Sequence, residues 1–308
     1  MTSVFVAAGG SGKVATSPDG EDWTQHTALG FSGRAICWSP ELGLFVLVGN
    51  SGNLATSPDG ESWTTRTDAH GANNINGVCW SPDLALFCAV GDIGKISTSP
   101  DGETWTLQRT GAGNERFNAV TWSPALTLFV AWGTNTTDIP AIIFTSPDGE
   151  TWTNRNSGGV VAGAGEAVAW APALGIFLGS TNEDVFTSSF GITWTVRDPG
   201  ISANLRDIAW SEDLELFIIV STSGQLYSSP DGETWTSRTS GFGATSIDAA
   251  AWSPDLGLFC IAGALGTLAT SPDGEAWTLQ TSSFGSTGIA CVTWGQSAGA
   301  WRIGMTIG

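Results

Sequence analysis

This sequence predicts an all-β fold, a seven-bladed β-propeller of four-stranded antiparallel blades, and three observations support it. Two short motifs alternate along the 308-residue chain, each in seven copies. The first reads "WSPELGLF" from Trp38, "WSPDLALF" from Trp80, "WSPALTLF" from Trp122 and "WAPALGIF" from Trp170. It continues as "WSEDLELF" from Trp210, "WSPDLGLF" from Trp252 and a worn "WGQSAGAW" from Trp294. Successive tryptophans are 42, 42, 48, 40, 42 and 42 residues apart. Self-similarity at about 40–45 residues is the period of propeller blades. The second motif, "TSPDGETWT" from Thr98 and Thr145, has near-copies from Thr16, Thr56, Ser228 and Thr270 and a degenerate "TSSFGITWT" from Thr187. Third, 41 Gly and 13 Pro favour many short strands over long helices.

One repeat divides into four strands. "RAICW" (Arg34–Trp38) is short and apolar and is followed by a turn at Ser39–Gly43. "LFVLVG" (Leu44–Gly49) is continuously apolar, as befits a strand covered on both faces. "NSG" turns the chain, "NLATS" (Asn53–Ser57) returns, and Pro58-Asp59-Gly60 turns it again. "SWTTRT" (Ser62–Thr67) alternates as a half-exposed outer strand should. In the SPDG hairpin Pro pre-sets φ for a type I turn, Gly takes the left-handed position, and the Asp carboxylate can accept turn N–H groups. Seven copies of one turn suit a structural role better than a catalytic one.

The chain opens on the second-strand type, "VFVAAGG" (Val4–Gly10), and the missing inner strand is "CVTW" (Cys291–Trp294) near the other end. One domain over 1–308 is expected, its closing blade sewn from 1–28 and 289–308, which removes the open sheet edge. The tail "AWRIGMTIG" (Ala300–Gly308) resembles a surplus second strand with no assigned partner.

"SPDGETW" resembles the Asp-box, or bacterial neuraminidase, repeat, a turn between the third and fourth strands of a propeller blade. The resemblance covers all seven repeats; the copies here differ in placing Gly directly after Asp. It implies a propeller and spans sialidases, xyloglucanases, sorting receptors and photosystem II assembly factors. The alternating motifs are also similar to propeller proteins of tailed phages. Fold follows from this far more firmly than function.

Composition excludes several function classes. The net charge is −18 with only 11 Lys plus Arg, so clustered cations for nucleic acid or anionic membranes are lacking. No run of about 18 apolar residues occurs. "MTSVFVAAGGSGK" lacks a secretory leader, and five cysteines without metal-ligand spacing suit a reducing compartment. A cytoplasmic or virion-associated protein is expected, with no cofactor and no metal.

Strand direction puts the WSP and SPDG turns on one face of the ring. Eighteen of the 29 acidic residues fall in those turns, an acidic, solubilising surface. The opposite face varies between repeats. Four residues before each inner tryptophan stand Arg34, Asn76, Asn118, Glu166, Arg206, Asp248 and Ala290, expected to ring the channel mouth as hydrated lining or as a polar pocket. The third blade carries an insertion, "AWGTNTTDIPAII" (Ala131–Ile143). There Trp132 could stack on a sugar with Asn135 and Asp138 bonding its hydroxyls, or could be buried in a lengthened hairpin. The residues three after each hairpin tryptophan, such as Arg66, Arg155 and Gln280, read as a solvated rim.

Enzymatic constellations are missing. The single tyrosine, Tyr227, precedes a hairpin turn, Arg34, Arg116 and Arg206 lack a sialidase motif, and Glu115, Glu166 and Asp248 show no marked pair. His26 and His70 lack a nucleophile in a recognisable arrangement. The sequence therefore points to a non-enzymatic scaffold or binding module with a protein partner on the variable face, of the virion-component or assembly-factor kind. A carbohydrate-binding propeller is the alternative, and a glycoside hydrolase the weaker one.

Overall fold

The computed structural model describes residues 2–297 except 68, 112, 136, 138–140, 156–162, 183, 198–200 and 202–203. Its strands form seven four-stranded antiparallel sheets. Blade 1 comprises Gly33–Ser39, Leu44–Gly49, Asn53–Ser57 and Thr64–Thr67, from channel to rim. Blades 2 to 6 repeat it, with inner strands Ile75–Ser81, Glu115–Ser123, Gly165–Ala171, Leu205–Ser211 and Ile247–Ser253. In blade 7 the inner strand Ile289–Ser297 pairs with Thr2–Gly9, with Phe5 opposite Trp294, so an early and a late segment of the chain share one sheet. Each inner strand lies against those of the blades beside it, and the last returns to the first. The ring is closed.

The apolar second strands explain how blades stick together. Along Phe45-Val46-Leu47-Val48 side chains alternate faces, and both faces are buried. Phe45 and Leu47 join Val4, Val6 and Val14 of blade 7. Val46 and Val48 join Ile75, Phe87 and Ala89 of blade 2. Within a blade, the phenylalanine of the second strand sits between two tryptophans. In blade 2, Phe87 lies 4.5 Å from Trp80 and 6.3 Å from Trp105 between ring centroids. Blades 3, 4 and 6 repeat that stack. Such aromatic pairs add about 0.5–1.5 kcal/mol beyond area burial.

The hairpin motif is a latch as well as a turn. Asp101 Oδ1 accepts the N–H groups of Glu103 and Thr104 at 2.8 Å, Ser99 Oγ accepts that of Gly102 at 2.8 Å, and Trp105 Nε1 donates to Gly102 O at 3.1 Å. Gly102 has φ +72°, and a Cβ there would stand 2.9 Å from Leu44 Cδ2 of the preceding blade. Glycine is thus required twice, by backbone sign and by the neighbour pressed against it.

All five cysteines are free thiols; Cys88, Cys260 and Cys291 are buried in the strands. Desolvation raises their pKa, that of Cys291 up to about 12, so they are inert core residues. Among the described residues no helix is long and apolar enough to cross a membrane. The tail at 300–308 lies outside the described residues.

Candidate functional site: the bulge ring at the channel mouth

Each inner strand bears one extra residue at the same place. Gly33 pairs with Gly49 and Ala35 with Val48, leaving Arg34 unmatched. The same irregularity falls at Asn76, Asn118, Arg206, Asp248 and Ala290, and across Glu166–Ala167 in blade 4. A bulge interrupts alternation, bends the strand and re-aims its extra side chain. Here the side chains of all seven blades are turned toward one opening. They surround a mouth of about 400 Å³ that leads into a channel of about 410 Å³.

The ring is electrically lopsided. Arg206 lies between two acids, its Nη1 3.7 Å from Glu166 Oε2 and its Nε 3.8 Å from Asp248 Oδ1. Burial raises the Glu166 pKa, opposed by Arg206 and Arg116. Across the mouth, Arg34 donates to Asn50 Oδ1 and has no carboxylate within ion-pair distance among the described residues. Burial and the nearby Arg116 lower its pKa, opposed by Asp92. Arg116 Nε is 3.4 Å from Asp92 Oδ1. One side thus presents acids around a guanidinium, the other two guanidinium groups around an acid.

The two asparagines do different work. Asn76 Nδ2 donates to Asp92 Oδ1 and to Phe117 O of the next blade, both at 2.9 Å, and Asn118 Nδ2 to Gly165 O at 2.7 Å. They stitch neighbouring inner strands. Asn76 Oδ1 remains buried without a partner.

Sequence reasoning missed Asp92 and Asp207. Asp207 occupies a column that otherwise holds Ala, Gly or Cys, and its carboxylate lines the channel. It accepts the N–H of Ile208 at 2.8 Å and that of Ala250 in the next blade at 2.9 Å. Enclosure by the channel wall outweighs those bonds and pushes its pKa up to about 6. The one acid in a column of small residues was the available signal.

The proposed sugar platform in blade 3 needs correction. Trp132 is a strand residue, within Leu128–Asn135, and is 0 % exposed. Its Nε1 donates to Ser180 O at 2.7 Å, and its ring lies 4.6 Å from that of Trp194. Gly165 and Gly179 of blade 4 make room for it: a Cβ on either would come within 2.8 Å of the indole. No ring face remains for a ligand. Asn135 Oδ1 accepts from Asn114 Nδ2 at 3.0 Å and from Thr137 Oγ1 at 2.6 Å, which ties down its own turn. Asp138 lies outside the described residues.

The rim and the acidic face also carry more structure than expected. Arg66, Gln108, Arg155 and their repeat equivalents each bond the Thr or Ser ten residues earlier. Glu41 and Asp83 accept the indole N–H of the next blade's Trp80 and Trp122, at 2.7 and 3.0 Å. Asp255 of blade 6 accepts from Ser3 and Gln296, which lie opposite each other on the two closing strands of blade 7. Candidate catalytic groups are engaged elsewhere: Glu115 with Arg109 at 2.7 Å, Tyr227 with Gln225 at 3.1 Å, His26 with Thr16 at 2.7 Å. Among the described residues no three His, Cys, Asp or Glu side chains gather as metal ligands.

No protein-family model matches the chain, and no curated protein matches it in sequence. Solved propellers match it in shape. YCF48 bound to D1 peptide superposes with a TM-score of 0.59 at 18% identity over 77% of either chain. The WD40 propeller domain of Doa1 gives 0.65 at 14% identity, over 86% of this chain and 92% of that one. A functionally unknown protein from Desulfotomaculum acetoxidans gives 0.68 at 10% identity, over 94% and 99%. At such identities the likeness concerns fold alone.

Proposed function

We propose that this chain is a non-enzymatic binding propeller, an interaction or structural module of an assembly-factor or virion type, that receives a protein segment at its bulge ring. One observation carries the reading: seven bulges deliver variable, mixed-charge side chains into one mouth, while the repeated sequence is spent on holding the ring together. The mouth fits a polar peptide tip bearing both signs of charge, which would meet Glu166 and Asp248 on one side and Arg34 and Arg116 on the other. The absence of a poised nucleophile or of a free acid pair among the described residues favours binding over chemistry. A similar fold holding a peptide, as in the YCF48 structure with D1 peptide, supports a peptide-sized partner. The burial of Trp132 removes the sugar site expected at the blade 3 insertion.

Selection from a displayed random-peptide library against the purified chain tests this. Enriched peptides should bind the parent protein and lose about tenfold or more against Arg34→Glu and Arg206→Glu, as central interface contacts do. Peptides indifferent to both variants would overturn the proposal.

A further inference from the structure

Six of the seven hairpins carry Pro-Asp-Gly-Glu; blade 4 carries Ser189-Phe190-Gly191-Ile192. The backbone is unchanged, since Gly191 keeps φ +68° and its N–H still bonds Ser188 Oγ at 2.8 Å. What changed is the surface. Both acids of the turn became large apolar residues, and they point out: Phe190 is 63 % and Ile192 44 % exposed, with Val196 on the next strand 44 % exposed. Beside Phe190 runs a groove of about 400 Å³ between blades 4 and 5, floored by Leu174 and Ile176 and bounded by Arg197 and Glu233.

The exchange also strands a cation. In three other blades the rim arginine is closed by the glutamate of the following hairpin: Arg66 by Glu103, Arg197 by Glu233 at 2.6 Å and Arg238 by Glu275 at 2.6 Å. Arg155 stands at the same position in blade 3, and the residue that should meet it is Ile192. It bonds Thr145 Oγ1 at 2.8 Å and has no carboxylate within 4 Å among the described residues. Among the described residues Arg155 thus lacks the acid its equivalents meet, and the hairpin that follows it in blade 4 presents exposed Phe190 and Ile192 in place of acids.

We propose that this worn hairpin is a second docking site, independent of the bulge ring, for a partner segment that sets a carboxylate beside a large apolar side chain. The carboxylate closes Arg155 as the missing glutamate does elsewhere, and the apolar side chain covers Phe190 and enters the groove. Charge complementarity selects this occupant: Arg66, Arg197 and Arg238 each pair with the glutamate of the following hairpin, and among the described residues Arg155 meets no such acid.

The control variant is supplied by the protein itself. Ser189→Pro, Phe190→Asp and Ile192→Glu together write into blade 4 the turn of the other six blades, so the fold is kept. The probe is an array of 12-residue peptides pairing one Glu with one Leu or Phe at varied spacing, each with a Glu→Gln counterpart. Binding should fall about tenfold or more on the repaired protein and on the Gln peptides, the loss expected for a central contact. It should be unmoved by Arg34→Glu with Arg206→Glu, so its failure is distinguishable from that of the ring. Equal binding by the repaired protein, equal binding of Gln peptides, or an empty array would overturn the proposal. So would self-association in sedimentation that the repair abolishes, because the patch would then be a contact between copies of this chain.

Discussion

The two ends of an inner strand obey different rules. At the tryptophan end the sequence hardly varies, because the indole stacks on the phenylalanine opposite and in several blades bonds an acid in the neighbouring turn. Four residues earlier the strand crosses its bulge and reaches the channel mouth, and there Arg, Asn, Glu, Asp and Ala all occur. The tryptophan end packs on the second strand and on turns between blades; the bulge end meets an open cavity. Repetition within one chain therefore separates what the ring requires from what it merely tolerates. The proposed function uses the tolerant end.

The largest test of that contrast concerns Trp132, which looks like a variable-face residue in sequence but packs as core. Trp132→Ala should cost about 3–5 kcal/mol, as for other buried aromatics, read as a fall in the denaturant midpoint with no specific loss of peptide binding by the folded protein. A stability change below about 1 kcal/mol would return it to the surface.

Asp207 comes next. Its folded pKa, about 6, lies above the unfolded value of about 3.9. The ionised form is therefore the penalised one: the penalty is present above pH 6 and relieved as pH falls toward 4. On the order of 3 kcal/mol is at stake. The turn aspartates behave oppositely. Backbone N–H groups hold Asp101 and Asp148 below the usual range, so their contribution exists above pH 4 and is lost below it. Urea denaturation should show stability rising from pH 7 to 5 and falling below 4. Asp207→Asn should flatten the first limb, and an unchanged slope would contradict the assignment.

Smaller effects sharpen the comparison of faces. Asp101→Ala removes the acceptor of two turn N–H groups and should cost about 1 kcal/mol, like loss of a helix cap. Arg34→Ser at the ring should change stability by less than about 0.5 kcal/mol. Equal costs would erase the division between scaffold and site. Smallest is Glu215→Gly: Glu215 has φ +47° where the repeats at Gly43 and Gly257 use glycine. Relief of the left-handed strain should stabilise by about 0.5 kcal/mol after glycine's entropy cost.

Much of this was legible in the chain. The tryptophan spacing gave the blades, the second-strand start at Val4 gave the closure, and the offset of four from each tryptophan found the ring residues. The bulge was not legible, because Arg34 and Asn76 fit an unbroken alternation equally well until the pairing partners are known. The fate of Trp132 was hidden for a related reason: the space it fills is created by Gly165 and Gly179, more than 30 residues downstream in another blade. Acids that read as solubilising, Glu41 and Asp83, turned out to hold indoles across a blade boundary that no local pattern reveals. Long-range contacts decided each case.

The most direct test of the central claim is to crosslink the chain to its partner in lysate of the native source and map the modified positions by mass spectrometry. Crosslinks from residues flanking Arg34, Asn118, Arg206 and Asp248 would place the partner at the bulge ring, as expected here. Crosslinks confined to the Pro-Asp-Gly-Glu turns of the regular face would contradict it.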